Sequence, residues 1–286
     1  MSAFALVGGD LPALGSNDTA SVRPTDVFLV AHQDDWQLFM GDVAFKGVRR
    51  ATPTVFIYLS AGDENREAAY WKTRERAALQ STRLAAGVPD GGATDCGIVV
   101  VLTHAIRRCT IAGTVSYFMR LPDGRRDGSG YEQNAFQSLR KLRAGRISAI
   151  SAVDTSASYH GWLDVTATVQ ELVRRERTTG SGVTLHASDP NAVINPRDHS
   201  DHREAGLIAA ALTKNPGWGL TYYAGYSIAA RPDNRSRAQA WQKTALFLVY
   251  DREMLIANRS WSTYAERPRF YSMCMLRTYA RRVPRR

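Results

Sequence analysis

A five-residue apolar run, Val27-Phe28-Leu29-Val30-Ala31, breaks abruptly into His32-Gln33-Asp34-Asp35-Trp36. Such a run, rich in branched side chains and unbroken by polar positions, reads as a strand buried on both faces, as parallel strands are. The pattern that follows supplies its neighbours. Residues 36–50 are helical in pattern, 54–60 strand-like, 66–86 helical and 98–103 strand-like again. Residues 116–121 are strand-like and turn at Pro122-Asp123-Gly124, and an amphipathic helix over 161–175 leads to a strand-like run over 182–186. Alternation of this kind predicts an α/β fold, Rossmann-like, with a mostly parallel sheet and helices on both faces.

The chain divides into an N-terminal extension, 1–25, and a single domain over 26–286. From about 215 to 286 the pattern changes to a C-terminal elaboration: an aromatic strand over 221–226, a helix over 236–257, and an Arg-rich tail. The tail is expected to pack on its own domain, with 281–286 mobile. No internal repeat interrupts this plan.

In open α/β sheets ligands gather beyond the carboxyl ends of the strands. His32 and Asp35, with Asp34 between them, offer nitrogen and oxygen ligands plus a spare base. A hydrolytic zinc site needs that combination: an incomplete protein ligand set, an open position for water, and a carboxylate beside it. A carboxylate after a strand also serves as a helix N-cap, and Asp35 ahead of the helix would fill that role alone. The reading sharpens at Asp198-His199-Ser200-Asp201-His202, which follows the strand at 182–186 and opens another helical pattern. Two histidines at i and i+3 share one face of a first turn. The competing reading is a solvated turn capped by Asp201.

Ala31-His32-Gln33-Asp34-Asp35 and His199-Ser200-Asp201-His202 resemble the AHPDD(E) and HPDH motifs of the PIG-L/LmbE-like N-acetylglucosaminyl de-N-acetylases, which are zinc-dependent hydrolases. The resemblance runs from about Asp26 to Leu212 and is specific in the two motifs. It implies His32, Asp35 and His202 as metal ligands for one Zn2+, or another divalent metal, per chain. It makes Asp34 the general base and His199 the group that steadies the oxyanion or protonates the leaving amine. The residues alone do not say which of Asp34 and Asp35 is the ligand; the resemblance assigns it. The implied substrate is a small molecule or glycoconjugate carrying an N-acetylated sugar, attacked by metal-activated water.

Two positions depart from the family pattern. Gln33 stands where the family has Pro, and Trp36 where it has Glu. Trp36 is either a platform for a sugar ring or a core aromatic at the start of a helix. Asp123, in its Pro-Asp-Gly turn, is a candidate for binding sugar hydroxyls, although that tripeptide turns unaided. Arg74 falls where the family carries a substrate-contacting Arg. His104, His160 and His186 read as structural histidines. The loop at 62–65 is explained equally by substrate binding and by turn chemistry, and the Gly- and Arg-rich loop over 123–130 is expected to be mobile.

Lys and Arg number 37 against 27 Asp and Glu, a formal charge of +10. The basic residues are spread along the chain rather than gathered in a stripe, and no zinc-finger, RRM or basic-zipper pattern is present, so no specific nucleic-acid partner is expected. The charge reads as a general attraction to anionic ligands. Cys96, Cys109 and Cys274 are few, odd in number and without zinc spacing. They argue against a disulfide framework and for a reducing compartment. The N-terminus lacks the basic region of a signal peptide, and no run is long enough to span a bilayer, so the expected location is cytoplasmic. Two other functions fit less of the sequence: a metal amidase acting on a non-sugar amide, and a catalytically silent protein that binds anionic or nucleic-acid ligands.

Overall fold

The computed structural model describes residues 23–284. The expected N-terminal extension therefore lies, up to residue 22, outside the described residues. The strands of the main sheet are β1 (Thr25–Val30), β2 (Thr54–Ser60), β3 (Asp95–Val101), β4 (His104–Ile111) and β5 (Thr114–Leu121). A separate hairpin, β6 (Ala149–Ser151) and β7 (Ser158–His160), precedes the remaining sheet strands β8 (Val183–Ser188), β9 (Trp218–Tyr223) and β10 (Ala280–Val283). The helices are α1 (Asp35–Arg49), α2 (Ala68–Ala86), α3 (Leu139–Arg143), α4 (Trp162–Glu176), α5 (Ser200–Leu212), α6 (Arg237–Ala257), α7 (Thr263–Glu266) and α8 (Pro268–Met275).

The sheet has eight strands in the order β10-β9-β8-β1-β2-β5-β4-β3. The five central strands are parallel, with β1 pairing β2 on one side and β8 on the other. The strand order reverses between β1 and β8, which opens a crevice at their carboxyl ends. Alternate strand residues feed two cores. Val27, Leu29, Val55 and Ile57 pack under α4 and α5, while Phe28, Val30, Phe56 and Tyr58 pack under α1, α2 and α6. This is why the central strands read as unbroken apolar runs: both faces are covered.

The edges depart from the expected alternation. The run over 98–103 belongs to an antiparallel edge, β3 turning straight into β4 at Leu102, which has a left-handed φ of 55°. Val99 and Val101 face the core, while Val100 stays 62% exposed. Cys96 lies directly opposite Cys109 in this ladder, and the two form a disulfide with Sγ atoms 2.02 Å apart. That corrects the expectation of unpaired cysteines; only Cys274 is free, and it is buried. Arg281 to Val283, expected to be mobile, instead pair antiparallel with β9. No helix among the described residues is long and apolar enough to cross a membrane.

Candidate metal centre and its cleft

Because β1 and β8 are neighbours in parallel register, the turns that follow them meet. The turn after β1 carries His32 and Asp34 and starts α1 at Asp35. The turn after β8 leads into α5, which is capped by the side chain of His199: its Nδ1 accepts the Asp201 backbone N–H at 3.2 Å. Asp201, the cap in the competing reading of a solvated turn, is instead fully buried and turned inward.

Asp35 is set by two contacts. Its Oδ2 accepts the backbone N–H of His32 at 2.8 Å, which leaves Oδ1 to face His202 Nε2 at 3.0 Å and His32 Nδ1 at 3.6 Å. His202 is oriented from behind by Asp198, whose Oδ1 lies 3.0 Å from Nδ1. A carboxylate on one imidazole nitrogen directs the other towards a metal. His32, Asp35 and His202 are all buried, and their ligand atoms lie within 4.8 Å of one another. Two imidazoles and one carboxylate, closing only part of a coordination shell, are the donor set of a catalytic zinc site. The residues fit a divalent cation.

The electrostatics fit as well. Burial works against a charged His202 ring, yet Asp35 and Asp198 outweigh it and push its pKa up to about 10. Burial likewise opposes charge on His32, where Asp35, Asp201 and Asp123 prevail and hold it well above the usual imidazole range. Burial raises Asp35, but the two histidines dominate and hold it well below the usual carboxylate range. The pocket concentrates negative charge that protons neutralise when no cation does. Burial also pushes Asp123 up to about 7, opposed by His32 and reinforced by Asp201.

A cleft of about 240 Å³ opens onto this centre, lined by His32, Asp34, Asp123 and His199 together with Arg74, Tyr70, Tyr226, Trp261 and Tyr271. Asp34 is held by Arg74, whose Nη2 donates to Oδ1 at 2.7 Å. Other Arg74 donors reach the Gly62 carbonyl and the Tyr250 hydroxyl, each at 2.9 Å. Gly62 has a φ of +56°, and a Cβ there would stand 2.6 Å from Arg74 Nη1, so the close approach requires glycine. Arg74, the expected substrate-contacting Arg, lines the cleft and gives four of its five N–H donors to the protein, the fourth to Glu64 at 3.3 Å. A larger cavity, about 750 Å³, lies at the other end of the domain between Thr213–Leu220 and Val283, with Lys214 its one charged lining residue among the described residues.

Trp36 does not enter the cleft. It is fully buried, donates from Nε1 to the Tyr58 hydroxyl at 2.9 Å and packs on Phe56, so it offers no platform for a sugar. Gln33 ties β1's exit to β2: its Nε2 donates to the Ser60 carbonyl at 2.8 Å. The loop after β5 is also pinned rather than mobile. Gly130 N–H donates to the Gly124 carbonyl at 2.9 Å, Ser200 N–H to the Arg126 carbonyl at 3.0 Å, and Lys141 to the Ser129 carbonyl at 2.7 Å.

Three carboxylates matter that were not among the candidate site residues read from the sequence. Asp198 orients His202, and its position four residues earlier was the available signal. Asp201 accepts the Gly124 N–H at 2.8 Å and stands 3.7 Å from His32 Nε2. Asp63, fully buried, accepts from the Asp123 backbone, Gln133 and Asn134, and so fixes the loop that carries Asp123.

No family model matches the chain, and no curated protein matches it in sequence. Among solved structures it is similar to N,N'-diacetylchitobiose deacetylase from Pyrococcus horikoshii, at 14% identity and a TM-score of 0.49, over 91% of this chain and 84% of that one. It is similar to a triple mutant of a deacetylase involved in the teicoplanin biosynthetic pathway, at 11% identity and a TM-score of 0.45, over 87% and 88%. It is also similar to 4-carboxy-2-hydroxymuconate hydratase from Pseudomonas putida KT2440, at 11% identity and a TM-score of 0.41, over 83% and 88%. At these identities and TM-scores the likeness carries no argument about what this chain does.

Proposed function

We propose that this protein is a divalent-metal-dependent hydrolase, zinc being the expected metal, that removes an N-acetyl or other N-acyl group from an amino-sugar substrate. One observation carries the reading. The buried set His32, Asp35 and His202 meets, through His32, a cleft that also presents a carboxylate, Asp34, and an imidazole, His199.

In this reading His32 Nδ1, Asp35 and His202 Nε2 would hold the cation, with Asp198 behind His202. A divalent cation bound there acidifies water and polarises an amide carbonyl. Asp34, kept in place by Arg74, is the base that takes the proton from attacking water. Because Nδ1 of His199 accepts the Asp201 N–H, its ring proton sits on Nε2. Burial, with His32 and His202 beside it, holds the His199 pKa well below the usual range. The neutral ring would donate its Nε2 N–H to the developing oxyanion. Asp34 then passes its proton to the leaving nitrogen, so that amide and water become amine and carboxylic acid. Tyr70, Trp261 and Tyr271 give the cleft aromatic walls suited to a sugar ring, and Asp123 is the candidate acceptor for its hydroxyls.

The test is acetate release from a panel of N-acetylated amino sugars by zinc-loaded protein. Asp34→Asn is expected to retain the metal and lose roughly 10²–10⁴ in kcat. No acetate from any member, or an Asp34→Asn variant as active as the parent, would overturn the assignment.

A further inference from the structure

His32 has donors on both sides of its ring. Beyond Nε2, opposite the set just described, lie Asp123, His199 and Asp201, all buried. Nε2 stands 3.5 Å from Asp123 Oδ2 and 3.7 Å from Asp201 Oδ2. His199 lies 3.7 Å from Asp123 through Nε2 and 3.9 Å from Asp201 through Nδ1. The ligand atoms of all four residues fall within 4.8 Å of one another.

Two features separate this cluster from a network of hydrogen bonds. His32 is 4% exposed, yet its Nε2 has no hydrogen-bond partner among the described residues. The separations are also too long for hydrogen bonds, which close to about 2.7–3.2 Å. Ligands held about 2.0–2.2 Å from a tetrahedral cation stand about 3.3–3.6 Å apart. His32 Nε2 stands close to that spacing from Asp123 Oδ2 and Asp201 Oδ2, and an imidazole with two carboxylates suits zinc or another nitrogen- and oxygen-binding divalent ion.

We infer that His32 serves two divalent-cation positions in alternation, one on each ring nitrogen. The inference rests on the reading that His32 ligates a metal, and it adds a second place for that metal to sit. A neutral imidazole has one lone pair. With the cation on Nδ1, the proton is on Nε2 and faces Asp123 and Asp201. With the cation on Nε2, the proton is on Nδ1 and faces Asp35. Each arrangement leaves the unused nitrogen beside a carboxylate, and each excludes the other. A cation in the second position would occupy Asp123, the group proposed to meet the substrate hydroxyls, so that placement is a non-catalytic store.

The experiment uses the full chain, stripped by chelation and reloaded with Co2+, reading metal per chain by elemental analysis and the ligand-field absorption of the cobalt. The wild type is expected to hold about one cation. His202→Gln, and independently Asp35→Asn, should still hold about one, with a shifted spectrum because the ion has moved to the second position. Asp123→Ala should hold one with the wild-type spectrum. His202→Gln combined with Asp123→Ala should bind more than about a hundredfold more weakly than either single variant. If His202→Gln and Asp35→Asn are folded and bind nothing while the wild type binds one, only the first position exists; the alternation is wrong and the metal reading stands. Two cations on the wild type, loss of metal in Asp123→Ala alone, or tight binding by the double variant would each overturn the alternation. No cation on the wild type would overturn the metal reading itself.

Discussion

Replacing Arg74 with Met, a side chain of similar length without charge, isolates what holds the proposed base. The Arg74 and Asp34 side chains are 6% and 11% exposed, and their pair at 2.7 Å is the shortest contact Arg74 makes. Removing one partner of a buried ion pair costs roughly 3–5 kcal/mol, because the other charge stays behind without compensation. Asp34 borders the cleft, where water reaches it, so the lower part of that range applies. The Tyr250 hydroxyl also loses its partner, adding about 1 kcal/mol. Urea denaturation of the chelator-treated protein should therefore show Arg74→Met destabilised by roughly 3–4 kcal/mol with an unchanged m-value. Asp34→Asn on that background removes the stranded charge and should restore part of the loss, giving a coupling of roughly 2 kcal/mol in the double-mutant cycle. Costs that add to within about 0.5 kcal/mol would refute the reasoning, since independent sites behave that way.

Metal-free protein should respond to pH in a direction set by His202 and Asp35. His202, raised to about 10, contributes stability that is complete below its unfolded value of about 6.5 and is lost as pH climbs towards 10. Asp35, lowered, contributes above about pH 4 and loses its share on acidification. Melting in chelator should thus be highest near pH 5–6 and fall by pH 9, while the gain from zinc grows with pH because ligands must shed protons; a gap independent of pH would contradict this. Thiol titration offers a separate check on the β3–β4 edge. The unreduced native chain should show no reactive thiol, denaturation should expose Cys274 alone, and reduction should release the Cys96–Cys109 pair as well. Three reactive thiols without reductant would show that the ladder is not cross-linked.

The central strands and first helices were legible because both of their faces are covered, which leaves a continuous apolar signature over Val27–Ala31 and Thr54–Ser60. The meeting of the two motifs follows from the same topology, with β8 beside β1. What stayed hidden depends on direction and partner rather than on local pattern. An apolar run such as Ile98 to Val101 reads alike in a parallel centre and on an antiparallel edge, and nothing in it announces that Cys96 faces Cys109. Trp36 directly follows Asp34, which lines the cleft, and the buried Asp35, but helical rotation turns it into the core beneath Tyr58. The loop after β5 has a mobile composition, yet Asp63, Lys141 and Ser200 anchor it from elsewhere in the chain.

His32 is common to both proposed cation positions, so its removal tests the central claim most directly. The measurement is metal per chain after zinc loading and dialysis, wild type beside His32→Ala, with folding checked by circular dichroism. The account predicts about one zinc on the wild type and none on the variant. A wild type that takes up no metal, or a folded His32→Ala that holds as much as its parent, would contradict it.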